Sequence, residues 1–93
     1  MLALKLKLSP NVIRKSEEKL EKFCFYNAKN KTFWNSDLSL GHVIAALDGT
    51  LTVCEVLDIV TSNNKNVDSK LLKDSLLEAF KVLYEGEFLI NVA

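Results

Sequence analysis

Hydrophobic and polar positions alternate along the first third of the chain. Leucine occupies every second position from Leu2 to Leu8, with alanine or lysine between, which is the period of a half-buried strand. A Ser-Pro-Asn turn follows, and residues 12–15 predict a second short strand. Two aromatic-rich runs, residues 20–26 and 31–35, predict a β-hairpin with a loop of about four residues over positions 27–30. This part of the chain therefore predicts a small antiparallel sheet.

The pattern changes to a helical period near Asp37, which is a suitable N-cap. Apolar residues then recur at helical spacing until Asp48-Gly49, where glycine suits the left-handed position that often ends a helix. Thr52-Val-Cys-Glu55 predicts a capping box at the start of a second helix. Residues 61–66 are polar and predict a loop.

The third predicted helix is the longest. Asp68 caps it, it extends to about Glu85 before Gly86, and a short apolar run follows over residues 88–90. A small sheet followed by three helices is the plan of a winged helix-turn-helix domain. The predicted fold class is therefore α+β, with an antiparallel sheet of about three strands packed on three helices. At 93 residues the chain predicts one domain, with residues 1–9 as an extra or exchanged strand.

The predicted hairpin has apolar groups on both of its faces. Phe23 and Phe25 point to one face, whereas Cys24 and Tyr26 point to the other. A small sheet backed by helices on one side should have one polar face. Either the strand of residues 2–8 covers the second face or a partner does. One hypothesis is a homodimer in which that first strand exchanges between protomers.

The third helix has two apolar lines. Its predicted core line consists of Leu72, Leu76, Ala79 and Leu83. Leu77 lies roughly 140° from the middle of that line on a helical wheel. An apolar strip edged with lysine surrounds it and suits a partner segment; the strip comprises Phe80, Tyr84, Lys70, Lys73 and Lys81.

Charge is unevenly spread, although the formal net charge is zero. Residues 1–35 carry eight Lys or Arg and three Asp or Glu, whereas residues 36–93 carry four and nine. A nucleic-acid-binding domain concentrates positive charge on its recognition helix, and here the helical half is acidic. This argues against DNA binding, and a winged-helix DNA-binding regulator is the alternative that the helix order leaves open.

Catalytic and metal-binding motifs do not occur in the sequence. His42 is the single histidine, and Cys24 and Cys54 are too few for a zinc site at the usual spacings. Both cysteines are predicted to be reduced thiols in the core. No enzyme activity, metal or cofactor is therefore predicted. The start is too short for a signal peptide and no run is long enough to span a membrane, so the expected compartment is the cytoplasm.

The stretch Asn35–Leu57, together with the last helix, resembles the pyrroloquinoline quinone synthesis protein D family, which belongs to the recognition elements for ribosomally made, modified peptides. The resemblance covers about residues 10–90. The positions that match are Val43, Leu47, Asp48, Gly49, Thr52, Val53, Glu55, Val56, Leu76-Leu-Glu78 and Phe80. Ser36-Asp37 stands where the family usually has Leu-Asn, and the last helix is about two residues longer.

The resemblance implies a protein that binds the leader region of a precursor peptide and presents it to a modifying enzyme, often a radical S-adenosylmethionine protein. The leader would be added as a strand along the third strand, in a cleft against the last helix. Carried onto this chain, the implied peptide-binding residues are Lys31, Thr32, Phe33, Trp34 and Asn35 on the strand, and Lys70, Lys73, Leu77, Phe80, Lys81 and Tyr84 on the helix. No nucleic acid and no membrane is an expected partner.

Overall fold

The computed structural model describes residues 1–64 and 68–92. The strands and α-helices of that part are, in chain order, β1 (Leu6–Leu8), β2 (Val12–Glu17), β3 (Lys22–Asn27), β4 (Thr32–Asp37), α1 (Leu38–Ala45), α2 (Val53–Asn63), α3 (Ser69–Glu85) and β5 (Leu89–Asn91). Strands β2, β3 and β4 form an antiparallel sheet in that order, and β1 pairs with β5 in a separate two-stranded sheet. The predicted α+β class, with a three-stranded antiparallel sheet and three helices, is confirmed.

The three-stranded sheet has one face on the core and one face in solvent. Its inner face carries Phe23 and Phe25, which are both buried. On its outer face, Ile13, Tyr26 and Phe33 lie opposite one another across the three strands. Ile13 is 63% exposed and Phe33 is 71% exposed. The prediction of apolar groups on both faces of the hairpin is therefore correct.

The N-terminal segment packs away from this sheet. Only its last three residues form a strand, and all three pair with β5. The backbone carbonyls of Leu2 and Leu4 accept hydrogen bonds from the N–H groups of Cys54 and Val53, which would otherwise lack partners at the start of α2. The segment therefore does not cover the outer face of the hairpin, and the predicted strand of residues 2–8 is shortened to Leu6–Leu8.

The helix starts follow the predicted caps. The Asp37 carboxylate accepts the N–H of Leu40 at the start of α1. At the start of α2, Thr52 and Glu55 make both hydrogen bonds of the capping box. The helix ends differ from the prediction, since α1 already ends at Ala45 and α2 continues through residues 61–63, where a loop was predicted. The end of that predicted loop, residues 65–66, lies outside the described residues.

The core lies between the inner face of the sheet and the three helices. From α3 it takes Leu76, Phe80 and Leu83, each of which is buried. The predicted core line is therefore rotated by roughly 40° about the helix axis, which brings Phe80 into the core and leaves Ala79 half-buried. One cysteine also differs from the prediction. Cys24 is half-buried on the sheet, but Cys54 is exposed on α2 rather than packed in the core.

Acid should weaken the start of α2. The Thr52 backbone N–H and, secondarily, its hydroxyl hold the pKa of Glu55 below its ordinary value. A carboxyl group whose pKa is lower in the folded state stabilises the fold at neutral pH and loses that contribution as the pH falls through the folded pKa. We expect Glu55→Gln to flatten the acid limb of a plot of urea midpoint against pH between 7 and 3. Glu78→Gln, on the exposed face of α3, is the matched control. A Glu55 carboxyl that titrates at its ordinary value by NMR would contradict the argument.

Candidate functional site

Strand β4 is an edge of the three-stranded sheet. Strand β3 pairs with one side of it, from Asn27–Thr32 to Lys22–Asp37. Within residues 1–64 and 68–92, no strand pairs with its other side. The N-terminal segment is held on β5 and α2, so it leaves this edge open.

The direction of one hydrogen bond shows which backbone groups point outward from β4. The N–H of Ala28 donates to the carbonyl of Asn11 at 3.0 Å, so this residue points toward β2. Backbone groups of successive residues in a strand point to alternate sides. The backbone N–H and C=O groups of Asn27, Phe25 and Phe23 therefore point toward β4. Their partners on β4 point back toward β3, and the residues between those partners point outward. The outward set is Phe33, Asn35 and Asp37.

The side chains of β4 divide between the two faces. Phe33 lies on the outer face against Tyr26, with ring centroids 4.7 Å apart, and Asn35 is exposed on the same face. Trp34 is half-buried on the inner face and packs against Phe25, with centroids 6.0 Å apart. Thr32 is exposed at the start of the strand.

Lys31 precedes the strand, in the turn, where its positive φ of 57° completes the hairpin loop. The loop spans residues 28–31 rather than 27–30, because Asn27 is fully buried as the last residue of β3.

Helix α3 runs alongside β4 in the opposite direction. Near its start, Leu72 and Ser75 line the same cavity as Asp37, the last residue of β4. At its end, the Gly86 carbonyl accepts hydrogen bonds from the side chains of Asn27 and Asn30, beside the start of β4. The lengths agree, since six strand residues span about 20 Å and the stretch from residue 75 to residue 86 rises about 17 Å. Helix α3 therefore lies near both ends of the open edge of β4.

The flank of α3 that faces β4 is the one that carries Ser75. By helical geometry Ala79 and Val82 lie within about 40° of Ser75 around the axis. Val82 is 46% exposed, and Leu71, nearby on the same flank, is 64% exposed. These residues are not among those predicted from the sequence. A second apolar line off the core, with Leu71 and Val82 on one side of the wheel, was the available signal.

The predicted lysine-edged strip lies on the opposite flank, about 120° or more from Ser75. Lys73 pairs there with Asp58 of α2, with 3.2 Å between the ammonium nitrogen and the carboxylate oxygen. Tyr84 lines a groove together with Leu89 of β5. Lys70 and Lys81 are exposed on this same flank.

The two apolar members of the predicted set pack inward. Leu77 is half-buried against the core, and Phe80 is 0% exposed. Thus the structure brings the predicted strand residues to an open edge, but it places the predicted helix residues away from that edge or inside the core.

A cavity of about 320 Å³ opens where β4 ends. Its walls come from α1, the end of α2 and the first half of α3. Most of its lining is apolar: Leu40, Val43, Val60, Leu72 and Leu76. Ser39 and Ser75 stand exposed at its rim. The cavity therefore extends the β4 edge with an apolar recess.

The described part of the chain has no cluster of metal-binding side chains. Among the residues that the structure describes, no three His, Cys, Asp or Glu side chains lie close enough together to hold a metal ion. His42 packs edge-on against Phe23, with centroids 5.3 Å apart. No helix of the described part is both long and apolar enough to cross a membrane. What the arrangement offers is an unpaired strand edge, an apolar recess and the flank of a helix that runs antiparallel to the strand, which together suit an extended chain segment.

Comparison with protein-family models and with curated proteins gives no match to this chain. Among solved structures, the chain is similar to TbiB1 in complex with the TbiA(β) leader peptide, with a TM-score of 0.71 and 17% sequence identity. The match covers 94% of this chain and 98% of that chain. The likeness shows that the two proteins share one fold over nearly their whole length. It agrees with the architecture that the family resemblance in the sequence implies.

Proposed function

We propose that this chain binds the leader region of a ribosomally synthesised precursor peptide as a strand added to β4. The observation that carries the proposal is the open edge of β4 with α3 running beside it. The fold likeness supports it, because TbiB1 is in complex with a leader peptide in the solved structure. The sequence resemblance points independently to the same activity.

Backbone pairing supplies most of the affinity in this mode of binding. Within residues 1–64 and 68–92, the outward backbone N–H and C=O groups of Phe33 and Asn35 have no strand partner, so a guest strand can pair with them. Each net hydrogen bond contributes about 1 kcal/mol. In the proposed complex, the guest strand contacts Trp34 on its sheet side and Ser75 and Val82 on its helix side. A free leader is largely disordered, so the cost of ordering it keeps the affinity moderate.

The lysine-edged flank has a secondary role in the proposal. Lys70 and Lys81 lie on the flank of α3 that does not face β4, so they do not contact a guest strand there. They attract acidic leader groups only within about one Debye length, about 10 Å. Lys73 is engaged with Asp58. Leu77, Phe80 and Tyr84 support the helix rather than contact the guest.

A modifying enzyme is the second partner in the proposal, and a radical S-adenosylmethionine protein is the class that the resemblance favours. The chain itself acts as an accessory protein without catalysis, in the cytoplasm where the precursor is translated. The homodimer hypothesised from the sequence requires the segment around Leu6 to leave its own β5, and Leu6 is only 2% exposed there. A monomer that presents one leader is therefore the form we propose.

Titration calorimetry tests the proposal with the leader of a short reading frame adjacent to the gene. We expect saturable binding together with NMR shifts of backbone amides along β4, because the outward N–H groups gain partners. A DNA duplex is the control arm, and no salt-dependent binding to it is expected. Absence of heat and of shifts with every adjacent leader, or shifts confined to other elements, would overturn the proposal.

A further inference from the structure

The cavity beyond Asp37 has the position of a specificity pocket. It begins at the last residue of β4, and its rim residues Ser39 and Ser75 come from two different helices. Asp37 is the one ionisable residue among its described lining residues, and its carboxylate already accepts the Leu40 N–H at 2.8 Å. A charged guest side chain would lose its hydration there without gaining a dedicated partner, which is costly. The pocket therefore suits an apolar side chain.

The register of β4 determines which guest residues reach this pocket. A guest strand pairs with the outward backbone groups of Phe33, Asn35 and Asp37, and its residues opposite these three face the outer side of the sheet. The guest residues opposite Trp34 and Ser36 face the inner side, where α3 lies. The next inward position follows two residues later, just past Asp37, at the mouth of the cavity.

We propose that this pocket takes an apolar side chain of the leader, and that this residue lies on the N-terminal side of the stretch that pairs with β4. The inference rests on the proposed function and deepens it by naming the peptide class. Antiparallel pairing is the more stable per residue and continues the pattern of the existing sheet. The N-terminal part of an antiparallel guest lies at Asp37, and its C-terminal part leaves past Lys31. The expected motif has apolar residues at three alternate positions, with the first in the pocket.

The test uses an mRNA-display library of random linear 16-residue peptides selected against the full chain. Fluorescence anisotropy then measures the enriched peptides on the wild type and on Ser75→Trp and Ser39→Trp, each of which fills the pocket from an exposed rim position. Asp74→Trp, one residue away on the exposed face of α3, is the matched control. We expect both filling variants to weaken binding about 10- to 100-fold, the factor for losing the burial of one apolar side chain. Asp74→Trp should change it less than about twofold.

Replacing the first apolar residue of an enriched peptide by serine should weaken binding to the wild type by a similar factor. The same replacement should have little further effect on Ser75→Trp, because the two changes remove one interaction. Circular dichroism establishes that each variant is folded. If both filling variants keep the wild-type affinity while Asn35→Pro still loses binding, the cavity does not take a leader side chain. The proposal of strand addition to β4 would then still stand. Failure of any peptide to bind, or binding that Asn35→Pro leaves unchanged, would instead overturn the proposed function.

The direction of the guest is tested with a nitroxide on either end of an enriched peptide. A label on the N-terminus should broaden the amide signals of Ser39 and Asn64 at the pocket. A label on the C-terminus should broaden those of Lys29 and Lys31 in the hairpin loop. The reverse pattern would show a parallel guest and overturn the assignment of the pocket to the N-terminal side.

Discussion

Asn35→Pro should abolish most leader binding while leaving the protein folded. The outward N–H of residue 35 is lost, and the proline ring occupies the space of a guest strand. The hydrogen bonds between β3 and β4 are kept, because residue 35 does not point toward β3. Proline is tolerated on edge strands for this reason. Losing one or two pairings and leaving a guest carbonyl unpaired costs about 1.5–3 kcal/mol, a factor of about 10 to 150 in Kd.

The control for this variant is Asn35→Ala, which removes the side chain and keeps the backbone N–H. Its Kd for the adjacent leader, measured by calorimetry, should stay within about threefold of the wild type. Equal losses in both variants would show that the side chain rather than the backbone makes the contact. Unchanged binding in Asn35→Pro would place the leader elsewhere on the molecule.

Phe80→Ala should be the most destabilising of the substitutions at the sequence-predicted site. The ring is fully buried in the core, and truncation of a buried phenylalanine costs about 3–5 kcal/mol. A domain of this size has about 5–15 kcal/mol to lose, so the urea midpoint should fall by a large fraction. Leader binding at low temperature should fall only as far as the folded fraction falls.

Leu71→Ala is the matched control on the same helix. Leu71 is 64% exposed, so its truncation should change the free energy of unfolding by no more than about 0.5 kcal/mol. A Phe80→Ala variant of near wild-type stability that binds no leader would reverse the assignment. It would make Phe80 the peptide anchor that the sequence analysis predicted.

Local features of this fold could be predicted because they depend on residues close together in sequence. The capping box of Thr52 and Glu55 forms within four residues, and the alternation of the hairpin follows from the period of a strand. The open strand edge could also be anticipated from the order of elements. These predictions required no knowledge of how distant segments pack.

The flank of α3 could not be predicted for a physical reason. A helical wheel gives angles between residues, but the rotation of the helix about its axis depends on what it packs against. The sequence pattern favoured Ala79 over Phe80 for the core, whereas in the structure Phe80 is fully buried and Ala79 is only half-buried. The wheel also does not say on which side of the core line β4 lies; it lies on the Ser75 side, about 120° or more from the predicted strip of Lys70 and Leu77.

Asn27 is a second example of a tertiary effect. Asparagine is common in loops, yet Asn27 is fully buried at the end of β3. Its side-chain amide donates to the backbone carbonyls of Gly86 and Glu87 at the end of α3. Helix ends leave such carbonyls unsatisfied, and a side chain from a distant strand meets them here. No local pattern encodes that partnership.

The same bonds have a mechanical consequence for recognition. The side chains of Asn27 and Asn30 hold the hairpin to the end of α3 through the Gly86 carbonyl. At the other end of β4, near Asp37, the helices α1, α2 and α3 instead line an open cavity. The distance between β4 and α3 can therefore change most at the Asp37 end and least at the Asn30 end. Relatives of this chain that accept different peptides should differ most in the residues around the cavity at Asp37. The residues that correspond to Asn27 and Asn30 should vary least.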